Sequence, residues 1–385
     1  FFNVITAATT GSEQALKRMF ITGVSPITLD DVTSGFNIGS NFTTDPQFNG
    51  IVGFSETELR TMLTYYKEEG TLKAEVEDLI TMMKPWYDNY CFAEETLDES
   101  MFNSDMVLYC MKSLILHGVK PKEIVDPNIR TDFNKLAYLV RLDHGLGENF
   151  SVIKEIAEQG EIVTEIVTHF SALEMTDVGN FKSLLFYFGL LSIKGVDMMG
   201  RPILHIPNLV VREQLFNFLI QGYARHDIFK LDVNRLRTLF ENMSFKGDWK
   251  PMFEFLAEAI REQSRIREYI EGEAHIKGFL LAYLSMFRYY QLYPEYEMNK
   301  GFADFFFKPS PAAPVSPPYT YLLEVKYAKA GASEKEIRAL ADDAREQLIR
   351  YSKDECVAEA REKGGLKLTT IVWRSWELAL MEEVE

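Results

Sequence analysis

Between positions 301 and 327 the pattern of apolar and polar residues predicts two β-strands. Phe302–Phe307 and Tyr319–Tyr327 are rich in aromatic and β-branched residues, and a Pro-rich stretch, Pro309–Pro318, joins them as an extended, exposed loop. Upstream, Ile276, Phe279, Leu280, Tyr283, Leu284 and Phe287 recur at helical spacing and predict one long helix over 267–290. Downstream, 343–353 reads as a helix in which Gln347 and Tyr351 stand four apart and share a face. Leu368–Trp373 reads as a last strand. The order predicts a small mixed sheet flanked by helices.

The earlier part of the chain reads as mostly helical. Phe54-Ser55-Glu56-Thr57-Glu58-Leu59 is a helix start: Ser55 caps, Glu58 reaches back three residues later, and Phe54 can staple against Leu59. Further helices are expected over 104–116, 133–141 and 150–158, and the aromatic run Lys84–Tyr90 reads as a packed loop. Residues 178–224 suggest a helix, two short strands around a turn at Gly200, and a second helix, a winged-helix-like order. Only Lys182, Lys194, Arg201 and Arg212 are basic there, too sparse for an electrostatic footprint on DNA, so protein packing fits at least as well. Lys17–Pro26 reads as a buried strand feeding the turn-rich stretch 29–37, a format of α/β sheets. The fold class expected is thus α/β and α+β, multidomain.

At 385 residues the chain is too long for one compact core. Four segments are expected: 1–50 as an α/β remnant, 51–150 as a helical lid region, 151–244 as the winged-helix-like region, and 245–385 as the mixed-sheet domain. The formal charge is −16, unevenly spread: residues 245–385 carry 20 Lys and Arg against 24 Asp and Glu, and residues 1–244 carry 21 against 33. The last segment is nearly balanced and can accept a polyanion locally, whereas the rest repels one, so long-range steering onto nucleic acid is not expected. Cys91, Cys110 and Cys356 lack metal-ligand spacing and fit reduced thiols in a cytoplasmic protein, and the six histidines are scattered. No run is long enough to span a membrane, and no signal peptide is visible.

The candidate chemistry lies on the two strands. Glu324 and Lys326 emerge on one side of theirs. Glu324-x-Lys326 is the sole Glu-x-Lys triplet in the chain, and it is set among Leu322, Leu323, Val325 and Tyr327; Asp304 is set among Phe302, Phe305, Phe306 and Phe307. Charges in such runs are costly unless paired or functional, although an ordinary solvated pair is the plain alternative. Asp304 and Glu324 could hold Mg²⁺, with the Val325 carbonyl as a further oxygen. Lys326 would then orient or deprotonate a water and offset charge on a phosphate.

A helix with Glu273, a hairpin with Asp304, a strand with Glu324-x-Lys326 and a helix with Gln347-x-x-x-Tyr351 together resemble the PD-(D/E)xK nuclease superfamily over residues 250–385. The resemblance is to the subgroup that ends bacterial AAA-ATPase-like proteins. It implies Glu273 as the helical acid, Asp304 and Glu324 as metal ligands for Mg²⁺ or Mn²⁺, Lys326 as the catalytic lysine, and Gln347 and Tyr351 as auxiliary residues. Either Glu295 or Glu297 could be an extra acid, and Phe302 stands where many relatives have a polar residue. The implied partner is nucleic acid, DNA by preference, with no membrane; a homo-oligomer is compatible.

By the same resemblance Thr22 and Ser25 would stand near a nucleotide phosphate. No Gly-x-x-x-x-Gly-Lys-Ser/Thr occurs, however, so no ATPase activity is expected. A structural role for Thr22 and Ser25 fits better, and the chain is expected to be the carboxyl-terminal piece of a longer protein or a truncated relative. Two other classes compete with a nuclease: a catalytically silent nuclease fold that binds DNA, and a protein-interaction module.

Overall fold

A computed structural model describes residues 20, 41–121, 124–126, 148–168, 174, 177–311, 313 and 315–384. The expected strand with Thr22 and Ser25 and the expected helix over 133–141 lie outside these residues. The chain divides into two units, 1–156 with 160–212, and 157–159 with 213–385.

In the first unit, helix α1 (Glu56–Glu68) starts as its sequence predicts. Ser55 accepts from Glu58 N–H, and the Glu58 carboxylate takes the Ser55 N–H at 2.9 Å. Helix α2 (Val76–Tyr87) runs through Pro85 and buries Trp86 and Tyr87, so half of the expected aromatic loop is helix. Helices α3 (Ser104–His117) and α4 (Glu148–Gln159) follow, the last three residues of α4, 157–159, being counted in the second unit. Strand β1 (Glu161–Val163), helix α5 (Val178–Tyr187) and strands β2 (Ser192–Val196) and β3 (Pro202–His205) complete the set, and helix α6 (Leu209–Arg225) starts in this unit, with residues 213–225 counted in the second. The sheet is antiparallel in the order β1-β3-β2; β1 was not expected from the sequence. At the β2–β3 turn Gly200 takes φ 77°, and Asp197 accepts from the N–H of Met199 and of Arg201.

The second unit holds helices α7 (Val233–Lys246), α8 (Lys250–Glu262) and α9 (Glu273–Leu284) and strands β4 (Tyr290–Met298), β5 (Gly301–Pro309) and β6 (Thr320–Ala328). Helices α10 (Glu334–Tyr351) and α11 (Ala358–Glu362) and strands β7 (Leu366–Arg374) and β8 (Glu377–Val384) follow. The predicted helix over 267–290 is therefore shorter. Gly272, at φ 108°, precedes α9, residues 264–269 form a 3-10 turn, and Tyr290 already belongs to β4.

The five strands lie in sequence order, antiparallel except for β6 and β7. Parallel neighbours need a crossover, and α10 supplies it. Ser333 caps α10 through a second capping box with Glu336. Leu348 of α10 packs with Ala303, Phe306 and Leu322, and Ile337 and Ala341 pack with Ala328 and Val372. Truncating a fully buried leucine such as Leu348 costs about 2–5 kcal/mol, so α10 is fixed against the strands. From the opposite side of β6, Tyr321 donates to the Met243 carbonyl of α7 at 2.7 Å. Among the described residues no helix is long and apolar enough to cross a membrane.

Candidate active site

The β5–β6 ladder pairs Phe307 with Tyr321, Phe306 with Leu322 and Phe305 with Leu323, and there it stops. One residue on, the two carboxylates replace the ladder's backbone bonds. Asp304 Oδ2 accepts from Val325 N–H at 2.8 Å, and Glu324 Oε1 accepts from Asp304 N–H at 3.2 Å. Each acid thus binds the backbone of the other strand with one oxygen and leaves the other oxygen for a cation. Asp304 Oδ1 meets the Lys277 ammonium at 2.5 Å, and Glu324 Oε2 faces Lys326 Nζ at 3.4 Å.

Two helices bring the remaining groups. On α9, Glu273 and Lys277 are four apart and joined at 2.9 Å. On α10, Asp343 and Gln347 are four apart; Gln347 Nε2 donates to Asp343 at 2.9 Å, while its Oε1 accepts from Lys326 at 2.9 Å. Lys326 also lies 3.6 Å from Asp343. Strand β4 adds Glu295, 3.3 Å from Lys277. The β4–β5 register runs through Pro294–Phe305 and Tyr296–Ala303, so Glu295 stands opposite Asp304, where no ladder pair forms; Glu295 takes φ 46°. A left-handed residue of this kind in a strand is costly and clusters at functional sites.

Of the residues predicted from sequence, Glu273, Asp304, Glu324, Lys326 and Gln347 converge. Tyr351 does not: it is buried with Met298, Ala303, Phe306 and Leu348, and its hydroxyl lies over Gly301, where a Cβ would meet it at 2.5 Å. Between Glu295 and Glu297 the geometry favours Glu295; Glu297 pairs with Phe302 on β5. Lys277, Asp343 and Thr370 were not anticipated. The first two are signalled by acid–base or acid–amide spacing of four on a helix. Thr370 is the β7 neighbour of Glu324, is 1% exposed, and its Oγ1 lacks a hydrogen-bond partner.

The electrostatics favour positive charge here. Burial, followed by the Asp304 charge, drives the Glu324 carboxyl well above the usual range, against the pull of Lys326. For Lys277 burial acts downward, but attraction to Asp304 and the hydrogen bonds to Asp304 and Glu273 outweigh it, so its pKa rises. Five acids, Glu273, Glu295, Asp304, Glu324 and Asp343, surround two ammonium groups. Among the described residues no three His, Cys, Asp or Glu side chains gather closely enough to form a metal cage. Magnesium needs only one or two carboxylates together with water and phosphate oxygens. The Asp304–Glu324 pair, the excess of acid and the unpartnered Thr370 hydroxyl fit such an ion.

No curated protein matches the chain. Residues 271–383 match the family model of the PD-(D/E)XK nuclease superfamily, whose members generally use divalent metal ions. The matched stretch runs from the residues before α9 into β8 and contains every converging side chain described above, so residues 271–383 are a PD-(D/E)XK nuclease superfamily domain.

Proposed function

We propose that this domain hydrolyses phosphodiester bonds of DNA, with Mg²⁺ or Mn²⁺ held by Asp304 and Glu324 and with Lys326 as the catalytic base or electrostatic partner. The observation that carries this is the end of the β5–β6 ladder. Two buried acids there spend one oxygen each on the opposite strand and present the other beside a lysine. A buried carboxylate costs several kcal/mol unless it is paired, and two placed opposite each other are hard to explain by folding alone.

When bound, the metal polarises the phosphoryl oxygen and lowers the pKa of a coordinated water. The chain's own residues do the rest. Lys326 is 14% exposed in its side chain and is held by Gln347 and Asp343. Its ammonium can donate to phosphate as negative charge grows; in the neutral amine form it would instead hold the attacking water and take its proton. Gln347 fixes the direction of that ammonium and Asp343 fixes Gln347. Phe302, 54% exposed two residues before Asp304, offers a flat apolar surface for a base or sugar. In this reading the three-stranded sheet of the first unit is a winged-helix-like module that packs protein and belongs to an AAA-ATPase-like regulatory region.

The test is incubation of the full chain with labelled DNA and, separately, RNA in Mg²⁺ or Mn²⁺, with and without EDTA. Metal-dependent cleavage of DNA that disappears in Asp304→Asn supports the proposal. A folded, metal-binding chain that cleaves neither polymer sinks it. The catalytically silent reading draws on the Lys277 contact with Asp304; it predicts DNA binding that survives EDTA and is unchanged in Asp304→Ala.

A further inference from the structure

The Asp304 carboxylate is divided between two partners. Oδ2 closes the strand end on Val325 N–H, and Oδ1 carries the Lys277 ammonium at 2.5 Å. The same ammonium reaches Glu273 Oε1 at 2.9 Å and Glu295 Oε1 at 3.3 Å. An ammonium group has three donors and no acceptor, and here it faces three carboxylates. The Lys277 ammonium therefore sits among carboxylate oxygens from α9, β4 and β5.

The chain holds this arrangement from several sides. Lys277 lies one helical turn from Glu273, so both project from one face of α9. The next residue is Gly278, where a Cβ would collide with the Glu158 side chain, so α9 is pressed closely against the segment at Glu158. Glu295 is turned by its positive φ beside the same ammonium. The Lys277 side chain is 18% exposed, so little water shares the site with it.

We propose that Lys277 is a resident counter-ion of the metal site, and that a divalent ion reaches Asp304 by displacing its ammonium from Oδ1. This rests on the reading that Asp304 and Glu324 hold the metal. Two cations competing for one oxygen repel each other strongly where water is scarce, and the long, flexible lysine stem lets the ammonium swing away while the helix stays in place. Lys277 therefore keeps the buried acids neutralised and weakens metal binding. Lys326, bonded to Gln347 and 3.4 Å from Glu324 Oε2, stands farther from its carboxylate than Lys277 does from Asp304.

The test is calorimetric titration of the full chain with MnCl₂, for wild type, Lys277→Met, Lys277→Gln and Lys277→Arg, with Asp304→Asn as the site reference. Lys277→Met and Lys277→Gln are expected to bind Mn²⁺ about tenfold tighter, the scale of one charge-assisted hydrogen bond. Lys277→Arg, which keeps the charge and grips carboxylates in a fork, is expected to bind it more weakly. Without metal, the neutral variants should melt lower and recover more on adding Mn²⁺. Mn²⁺ affinity that is unchanged or weaker in the neutral variants overturns the proposal, leaving Lys277 as a structural ion pair. Should Lys277→Met fail to fold, an unchanged affinity in Lys277→Arg overturns it equally. Tighter Mn²⁺ binding in a chain that cleaves nothing sinks the nuclease reading but not this one; cleavage with unchanged Mn²⁺ binding does the reverse.

Discussion

On the three-stranded sheet, Lys194 of β2 meets Glu161 of β1 at 2.5 Å with both side chains about half exposed, and Arg201 clasps Asp197 across the β2–β3 turn. On the five-stranded sheet, Asp304 and Glu324 are 6% and 1% exposed, and their cations reach in from α9 and from β6 itself. The first kind of pair contributes about 0–1 kcal/mol and could be exchanged freely. The second kind leaves an uncompensated buried charge if either partner is lost. Charge alone does not set the candidate site apart from the rest of the chain. What sets it apart is charge placed where a strand ladder ends and solvent is scarce.

The comparison is broken most sharply by changing one buried acid. Glu324→Gln is expected to lower metal-dependent cleavage by about 10³-fold or more, since the loss of a metal ligand removes several kcal/mol of transition-state stabilisation. It should also change how stability responds to pH. Because the Glu324 carboxyl titrates above its ordinary range, the folded chain keeps a proton that the unfolded chain has lost, so wild-type stability falls as pH rises from about 4.5 toward about 8. In Glu324→Gln that decline should flatten, with melting temperatures converging near pH 5 and the variant higher near pH 9. Equal slopes in both chains would show that burial does not strain this carboxylate.

Next in size is Lys326→Ala, with an expected loss of about 10²–10⁴-fold in cleavage rate, the span of general acid–base catalysis, while Mn²⁺ binding persists. A variant that cleaves normally would remove Lys326 from the chemistry.

A smaller effect, of opposite sign in pH, belongs to the three-stranded sheet. His205 of β3 is pushed down to about 4, by burial first and then by Lys194. The unfolded chain takes up that proton near 6.5 and the folded chain refuses it, so this sheet loses stability as pH falls from 6.5 toward 4. His205→Gln should flatten that acid limb, read by thermal melts at several pH values. The smallest effect is Lys194→Ala, whose solvent-exposed pair with Glu161 predicts a stability change of at most about 0.5 kcal/mol; a change of several kcal/mol would erase the contrast between the sheets.

Much of the domain was readable from sequence because its central strands carry their own signal. Strands β5, β6 and β7 are rich in aromatic and β-branched residues, and Asp304, Glu324 and Lys326 stand out against that background. The outer strands were missed for physical reasons. β8, Glu-Leu-Ala-Leu-Met-Glu-Glu-Val, is built of good helix formers and is a strand because β7 offers it an edge. β4 contains Pro294 and begins where helical spacing still runs, so its start was absorbed into the predicted helix. The winged-helix-like order gave both strands of the β2–β3 hairpin but not β1, which is three residues long and pairs with β3 alone.

Site residues followed the same division. Gln347 entered the site through the family resemblance, which grouped it with Tyr351 on one helix face, yet those two part company: Gln347 turns to Lys326 and Tyr351 to the core. Lys277 was not singled out in the sequence, and only the approach of β4 and β5 adds two further acids to its helical partner Glu273. The choice of Glu295 over Glu297 depended on a register that no local pattern encodes.

The most direct test of the central assignment is anomalous diffraction from crystals of the full chain soaked in Mn²⁺ at a concentration that supports cleavage. The account predicts a manganese peak in contact with oxygens of both Asp304 and Glu324, at roughly 2.0–2.3 Å, with the Lys277 ammonium moved off Asp304 Oδ1. A peak bound elsewhere, with those two carboxylates still holding only Lys277 and Lys326, would contradict it.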